Sequence, residues 1–216
     1  KYYACFTVET EPVLLHKTGR AVGIDMGVSA FVATSDGLLV QSPQTYRKAE
    51  KRLKRLQREV SRRKKGSNRR RKSVQKLASV HEKIANQRKD IAHKTARYLV
   101  NNYDLIIHED LQIKNMVKNH HLAKSIQDSE WGMFFDILAY KAEDAGKQVV
   151  KVNPHNTSQM CSGCGHIVKK TLAVRIHKCP HCGLELDRDI NAARNILATA
   201  LSITGSDGAF GDGLAG

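Results

Sequence analysis

Apolar and polar positions alternate with period two over residues 2–9, and Glu11-Pro12 ends the run, which predicts a strand there. Ala21, Val22 and Ile24 make residues 20–25 a second strand, closing on Asp25. Gly27 turns the chain into a strand over 29–34, and Ser35-Asp36-Gly37 is a hairpin signal leading to residues 38–41. From residue 46 to 102 the period becomes helical. Leu53, Leu56 and Val60 give the first helix one apolar face, and Lys65-Gly66-Ser67-Asn68 breaks it. A second helix carries Val74, Leu77, Ile84, Ile91 and Tyr98 on a near-heptad stripe, backed by Ala78, Ala85, Ala92 and Leu99, so the pair is expected to form a helical hairpin.

Strand and helix then alternate again. Residues 104–108 (DLIIH) read as a short buried strand with Glu109-Asp110 at its C-terminal end. Residues 112–124 are polar and basic, and His120 and His121 are expected in a solvated loop. Ser125 or Ser129 is placed to cap a helix in which Trp131, Phe134, Phe135, Leu138 and Ala142 recur at core spacing. Gly146 ends that helix, residues 148–152 (QVVKV) return to strand, and residues 189–203 form the last helix. The glycine-rich 205–216 is expected to be a flexible tail. The chain opens in mid-strand without a starting Met, which predicts a piece of a longer protein.

Charge narrows the function. Lys and Arg number 36 against 21 Asp and Glu, a formal net charge of +15. Such an excess draws polyanions and makes their binding salt-dependent. It is concentrated in the hairpin: sixteen of the thirty residues from Arg47 to Lys76 are basic, and only Glu50 and Glu59 are acidic. A solvated helix face is the plain alternative; the density and single sign favour phosphate contact by Arg62, Arg63, Lys64, Lys65, Arg69, Arg70, Arg71 and Lys72. No apolar run approaches the roughly 20 residues that span a bilayer. A cytoplasmic protein without membrane partners is expected, with oligomeric state left open.

Two Cys-x-x-Cys pairs, Cys161/Cys164 and Cys179/Cys182, stand fourteen residues apart. Four thiolates complete a tetrahedral zinc site with no open position, so the metal is architectural, and His166, His177 and His181 are spectators. Cys5, left over in the first strand, is expected to be a small buried hydrophobe. Acids stand at three strand or helix ends: Asp25, Glu109 and Asp189, with Asp110 and Asp187 as alternatives to their neighbours. If three carboxylates meet, they raise one another's pKa unless cations neutralise them, and Mg²⁺ or Mn²⁺ suits such oxygen ligands. Two such ions activate water and stabilise a leaving oxygen in phosphodiester hydrolysis.

GIDMG at 23–27, HEDL at 108–111 and the CxxC–x14–CxxC run followed by DRDINAARNI resemble the split RuvC motifs and zinc ribbon of the TnpB (OrfB) proteins of insertion sequences, relatives of type V CRISPR effectors. The resemblance spans about residues 20–203 and takes in the basic hairpin and SIQDSEWGMFF. It implies an RNase H-like (RuvC) α/β fold: a mixed sheet with helices, the basic hairpin inserted at 46–103, and a four-cysteine zinc ribbon. By this likeness residues 1–19 end a preceding β domain, 20–156 form the nuclease core, 157–186 the ribbon, and 187–204 the final RuvC segment. The implied activity is RNA-guided DNA endonuclease with two Mg²⁺ or Mn²⁺ ions on Asp25, Glu109 and Asp189, and zinc on Cys161, Cys164, Cys179 and Cys182. Asp189 is preferred to Asp187 because the family's third acid lies two residues before the Asn of N-A-A, here Asn191. Implied partners are single-stranded DNA in the cleavage groove and guide RNA in the full-length protein. The segments that grip guide and target-adjacent motif in full members are not matched here. Some relatives lack the acids and act as guided repressors; this chain keeps all three. A non-catalytic nucleic-acid-binding module and a strand-transferring transposase are the competing expectations.

Overall fold

The computed structural model of the chain describes residues 4–27, 29–111, 131–154, 157–171 and 174–207. The expected loop with His120 and His121, the Ser125 and Ser129 caps, and the tail beyond residue 207 lie outside them. Five strands form one sheet: β1 (Ala21–Asp25), β2 (Ala30–Thr34), β3 (Leu39–Gln41), β4 (Leu105–Glu109) and β5 (Gln148–Val152). Their order is β3-β2-β1-β4-β5, with β2 antiparallel to β1 and β3, and β4 parallel to β1 and β5. The short β2–β3 connection turns at Gly37 (φ 101°), a conformation that favours glycine.

Helices cover both faces. Over one face lie the C-terminal half of α2 (Asn68–Asn102) and α3 (Trp131–Asp144), which bury Val22, Ile24 and Ile106 against Ala96, Leu99, Phe134 and Leu138. Over the other lies α4 (Arg188–Asp207), with Ile196 and Ala200 against Ile107 and Val152. A Cβ on Gly23 would stand 2.2 Å from the Ala193 carbonyl oxygen and 2.7 Å from the Leu197 nitrogen, so only glycine lets α4 lie directly on β1. The packing is thus a three-layer α/β/α sandwich around a mixed sheet.

The outer half of α2 pairs with α1 (Thr45–Arg62) through Leu53, Leu56, Val80 and Ile84, making the expected hairpin. Ser67 caps α2, its hydroxyl accepting the Arg70 N–H at 3.2 Å. The heptad stripe needs correction. Val74, Ala78, Ala85 and Tyr98 are exposed, whereas Ser73, Val80, Ile84, Thr95, Ala96 and Leu99 are buried. A strict seven-residue step drifts by about 20° per heptad on a straight helix. The buried set instead follows eleven-residue steps such as 73–84–95, which keep to one face.

Residues 4–20 hold no strand, contrary to the expectation for 2–9, because among the described residues no neighbouring strand pairs with them. Phe6, Val8, Val13 and Leu14 are exposed, and so is Cys5, which is therefore no core residue. The segment is tied down at its end. The Asp104 carboxylate accepts the N–H groups of Thr18 and Gly19 at 2.7 and 2.6 Å and pairs with the buried Lys147, which also donates to the His16 carbonyl. The last helix runs to Asp207, past residue 205 where the tail was expected to start. No helix among the described residues is long and apolar enough to cross a membrane.

Candidate active site and metal centre

Side-chain alternation decides where the acids point. On β1, Val22 and Ile24 face α2 and α3, so Gly23 and Asp25 face α4. On β4, Ile106 and His108 share the first face, His108 stacking on Phe135 of α3 with centroids 4.1 Å apart, so Ile107 and Glu109 face α4. The parallel register sets Gly23 beside Ile107 and Ile24 beside His108. One further step brings Asp25 alongside Glu109, at the carboxyl ends of adjacent strands.

The third acid comes down from α4. The Asp187 carboxylate caps this helix, accepting the N–H groups of Asp189 at 2.8 Å and Ile190 at 3.3 Å. With Asp187 so engaged, Asp189 is buried with Oδ2 against the Gly27 turn, where a Cβ would stand 3.4 Å from it. Asp110, the other alternative, is exposed. Burial first, then the charges of Glu109 and Asp189, push the Asp25 carboxyl well above its usual range, outweighing the Arg188 guanidinium and the Met26 N–H. Burial also raises Glu109, against the hydrogen bond it accepts from the Thr157 hydroxyl. Arg188 holds Asp189 Oδ1 with Nε at 3.1 Å and Nη2 at 2.9 Å, and Arg175 stands 3.8 Å from Oδ2. Asp25 and Asp189 both feel the Arg188 guanidinium, and the acids are not a preformed cage: among the described residues the only trio or larger set of metal-type donors gathered tightly is that of the cysteines.

Those cysteines form a second centre. All four Sγ atoms of Cys161, Cys164, Cys179 and Cys182 lie within 4.8 Å of one another, and two pairs stand at 3.6 Å. Tetrahedral zinc with bonds of about 2.3 Å requires sulfurs about 3.8 Å apart, so the set fits that ion and closes it. Each knuckle turns through glycine, with Gly165 at φ 74° and Gly183 at φ 75° donating to the carbonyls of Cys161 and Cys179 at 2.9 and 3.0 Å. The β6 (Ile176–Lys178) and β7 (Glu185–Asp187) hairpin carries the second knuckle straight into α4. The histidines stay out of the thiol set: His166 and His181 stack on each other at 5.4 Å, and His177 is buried against Lys170.

The basic tip is elsewhere. Arg62, Lys64, Lys65, Arg69, Arg71 and Lys72 are exposed at the α1–α2 break, and the partly buried Arg63 pairs with Glu59 at 2.6 Å, with Arg70 partly buried beside it. Along α2 the tip lies about 36 Å from Ala92, where the helix meets the sheet, so these residues do not join the acids. Thr157, Asn195, Arg175 and Arg188 also stand at or behind the acids without being marked by the motifs, in which Asn191 serves only as a landmark. Asn191 and Asn195 stand four apart on one helix face, a usable signal; Thr157 offers none, since its role rests on a partner 48 residues away.

The chain belongs to the OrfB_IS605 family, described as probable transposase, whose sequence profile matches residues 5–120, and the Cas12f1-like TNB domain profile matches residues 131–196. Among its relatives is a putative RNA-guided DNA endonuclease of Streptomyces pristinaespiralis, 39% identical over 199 residues, 91% of this chain and 48% of that protein. Another is the putative RNA-guided DNA endonuclease InsQ of Escherichia coli K12, 35% identical over 220 residues, 94% of this chain and 55% of that protein. The chain thus spans about half the length of the curated relatives it matches. Of solved structures, the Cas12f1–sgRNA–target DNA complex superposes with TM-score 0.60 at 19% identity, covering 91% of this chain and 52% of that one. A CRISPR-Cas12f ternary complex gives 0.61 at 20%, covering 88% and 40%. This likeness is one of fold: a mixed sheet with helices and a four-cysteine module.

Proposed function

We propose that this chain is the nuclease portion of a TnpB-like RNA-guided DNA endonuclease associated with transposition, cutting DNA phosphodiesters at Asp25, Glu109 and Asp189. The observation that carries the reading is the shared parity of Asp25 and Glu109 on adjacent parallel strands, both facing the helix start that bears Asp189. Its closeness to relatives named RNA-guided DNA endonucleases supports the same assignment. These three acids would hold two divalent cations, Mg²⁺ or Mn²⁺; when bound, the cations supply an activated water and stabilise the departing 3′ oxygen. The raised Asp25 carboxyl suits that role, because crowded carboxylates gain from any cation that neutralises them.

The protein's own groups do the positioning. Thr157 fixes one oxygen of Glu109, the Asp187 cap fixes the helix start, and the buried helix places Asp189 against Gly27. Zinc on the four thiolates would hold the ribbon that leads into α4. The hairpin cations would grip phosphates of the target strand or of guide RNA. Asp25→Ala should abolish Mg²⁺- or Mn²⁺-dependent cleavage of single-stranded DNA while DNA binding persists, in assays with and without guide RNA. Undiminished cleavage by the variant would remove the enzyme, and joined instead of cut products would indicate strand transfer.

A further inference from the structure

A run of hydrogen bonds through the buried side chains of Asn191, Asn195 and Thr157 connects the first cysteine knuckle to Glu109. Asn191, fully buried on α4, accepts the Ser162 N–H on Oδ1 at 2.9 Å and donates from Nδ2 to the Met160 carbonyl at 2.7 Å. Ser162 and Met160 flank the buried ligand Cys161. One turn further along α4, Asn195 Nδ2 donates to the carbonyls of Met160 and Thr157, each at 2.7 Å. Both hydrogens of that buried amide are thereby used, which fixes its orientation. Thr157, itself buried, then gives its hydroxyl hydrogen to Glu109 Oε1. The amides of Asn191 and Asn195 and the Thr157 hydroxyl all have partners, and a hydrogen-bonded polar network of this kind rigidifies what it touches.

We infer that Thr157 is a positioning residue for Glu109, and that Asn191 and Asn195 make the knuckle around Cys161 the support on which it stands. The inference rests on the reading of Glu109 as a cation ligand. A carboxylate free to rotate binds a hard cation less well than one held by a neighbour, and outer partners of metal ligands typically change affinity by about 10- to 100-fold. With Oε1 tied to the hydroxyl, Glu109 presents its other oxygen in a fixed direction. The ribbon then has a second task beside holding its own fold: it sets the orientation of an acid supplied by a different strand of the sheet.

The test is Mn²⁺ binding to the full chain, read by electron paramagnetic resonance as loss of the free-ion signal, with zinc content and circular dichroism measured in parallel. Thr157→Val, which keeps the shape and removes the hydroxyl, should weaken Mn²⁺ binding about tenfold or more with zinc content unchanged. Thr157→Ser, which restores the hydroxyl, should recover it. Equal Mn²⁺ affinity in T157V and the parent chain would overturn the proposal, as would a T157S variant no better than T157V. If T157V loses its native circular dichroism, Thr157→Ala removes the same hydroxyl without setting a methyl against the carboxylate and is read the same way. Asp25→Asn separates the two levels: if it binds Mn²⁺ as the parent does, the acids are not the site, and both the nuclease reading and this inference fall. If it loses Mn²⁺ while T157V does not, only this inference fails.

Discussion

At the scale of single residues, two acids two positions apart do opposite work. The alternation of Asp187 and Asp189 left the third ligand open in the sequence, because both stand at a helix start. The cap resolves their geometry: Asp187 spends its Oδ1 on backbone N–H groups, and Asp189 turns inward. Asp187→Ala should cost about 1 kcal/mol of stability, the usual worth of a lost cap, and leave divalent-dependent cleavage standing. Asp189→Asn, which removes the partner of Arg188, should abolish cleavage; a variant that keeps cleavage while Asp187→Ala loses it would exchange their roles. Asp104 carries a different kind of prediction. Burial pushes its carboxyl up, but the Lys147 ammonium and the N–H groups of Gly19 and Thr18 outweigh this and hold it below the usual value. A depressed folded pKa means stability present above the unfolded carboxylate value near 4 and lost as pH falls through the folded value. Asp104→Asn should therefore be less stable by about 2 kcal/mol at neutral pH, with the difference shrinking below about pH 4 in denaturant titrations. A gap that stays constant with pH would show that the charge of Asp104 is not what ties down residues 18–19.

At the scale of elements, short strands were legible where burial on one or both faces wrote itself into the residues. AVGID, AFVAT and LIIHE lie within a residue of their expected bounds because apolar runs between turn signals have few other uses. Residues 2–9 carry a strand pattern as well, yet pattern alone cannot supply a neighbour to pair with. The α2 stripe misled for a geometric reason. Leu77, Ile84, Ile91 and Tyr98 keep step with a heptad, but α2 meets α1 along its outer half and the sheet along its inner half, so no single seven-residue seam serves both. Ile84→Ala should destabilise the hairpin by about 2–5 kcal/mol in chemical denaturation, whereas Val74→Ala should lie within about 0.5 kcal/mol of the parent. Equal losses would mean that the hairpin interface lies on the heptad face after all. Thr157 could not be read from sequence at this scale, because nothing local distinguishes a hydroxyl that completes a network between distant elements.

At the scale of the whole molecule, the chemistry and the charge are separated in space. The acids sit where β1, β4 and α4 converge, while the densest cations ride on a hairpin tip about 36 Å along α2 from the sheet. On the proposed function that separation would have a use: cations beside the acids would compete with divalent ions for the carboxylates, as the Arg188 ion pair would at Asp189, whereas cations on a projecting arm would hold phosphates without entering the site. If the arm binds a nucleic-acid backbone, replacing Arg69, Arg70 and Arg71 by glutamine should weaken association with single-stranded DNA and make log K less steep against log salt by about 2, since each released phosphate counterion contributes about 0.7. Cleavage of DNA already bound at saturating concentration should be unchanged, because none of the three reaches the acids. A binding constant that falls with the same slope as in the parent would assign these arginines to solvent and move the polyanion contact to another face. A slope that flattens together with a loss of cleavage at saturation would mean that the arm also orders the substrate strand over Asp25 and Glu109, coupling two regions that the fold keeps apart.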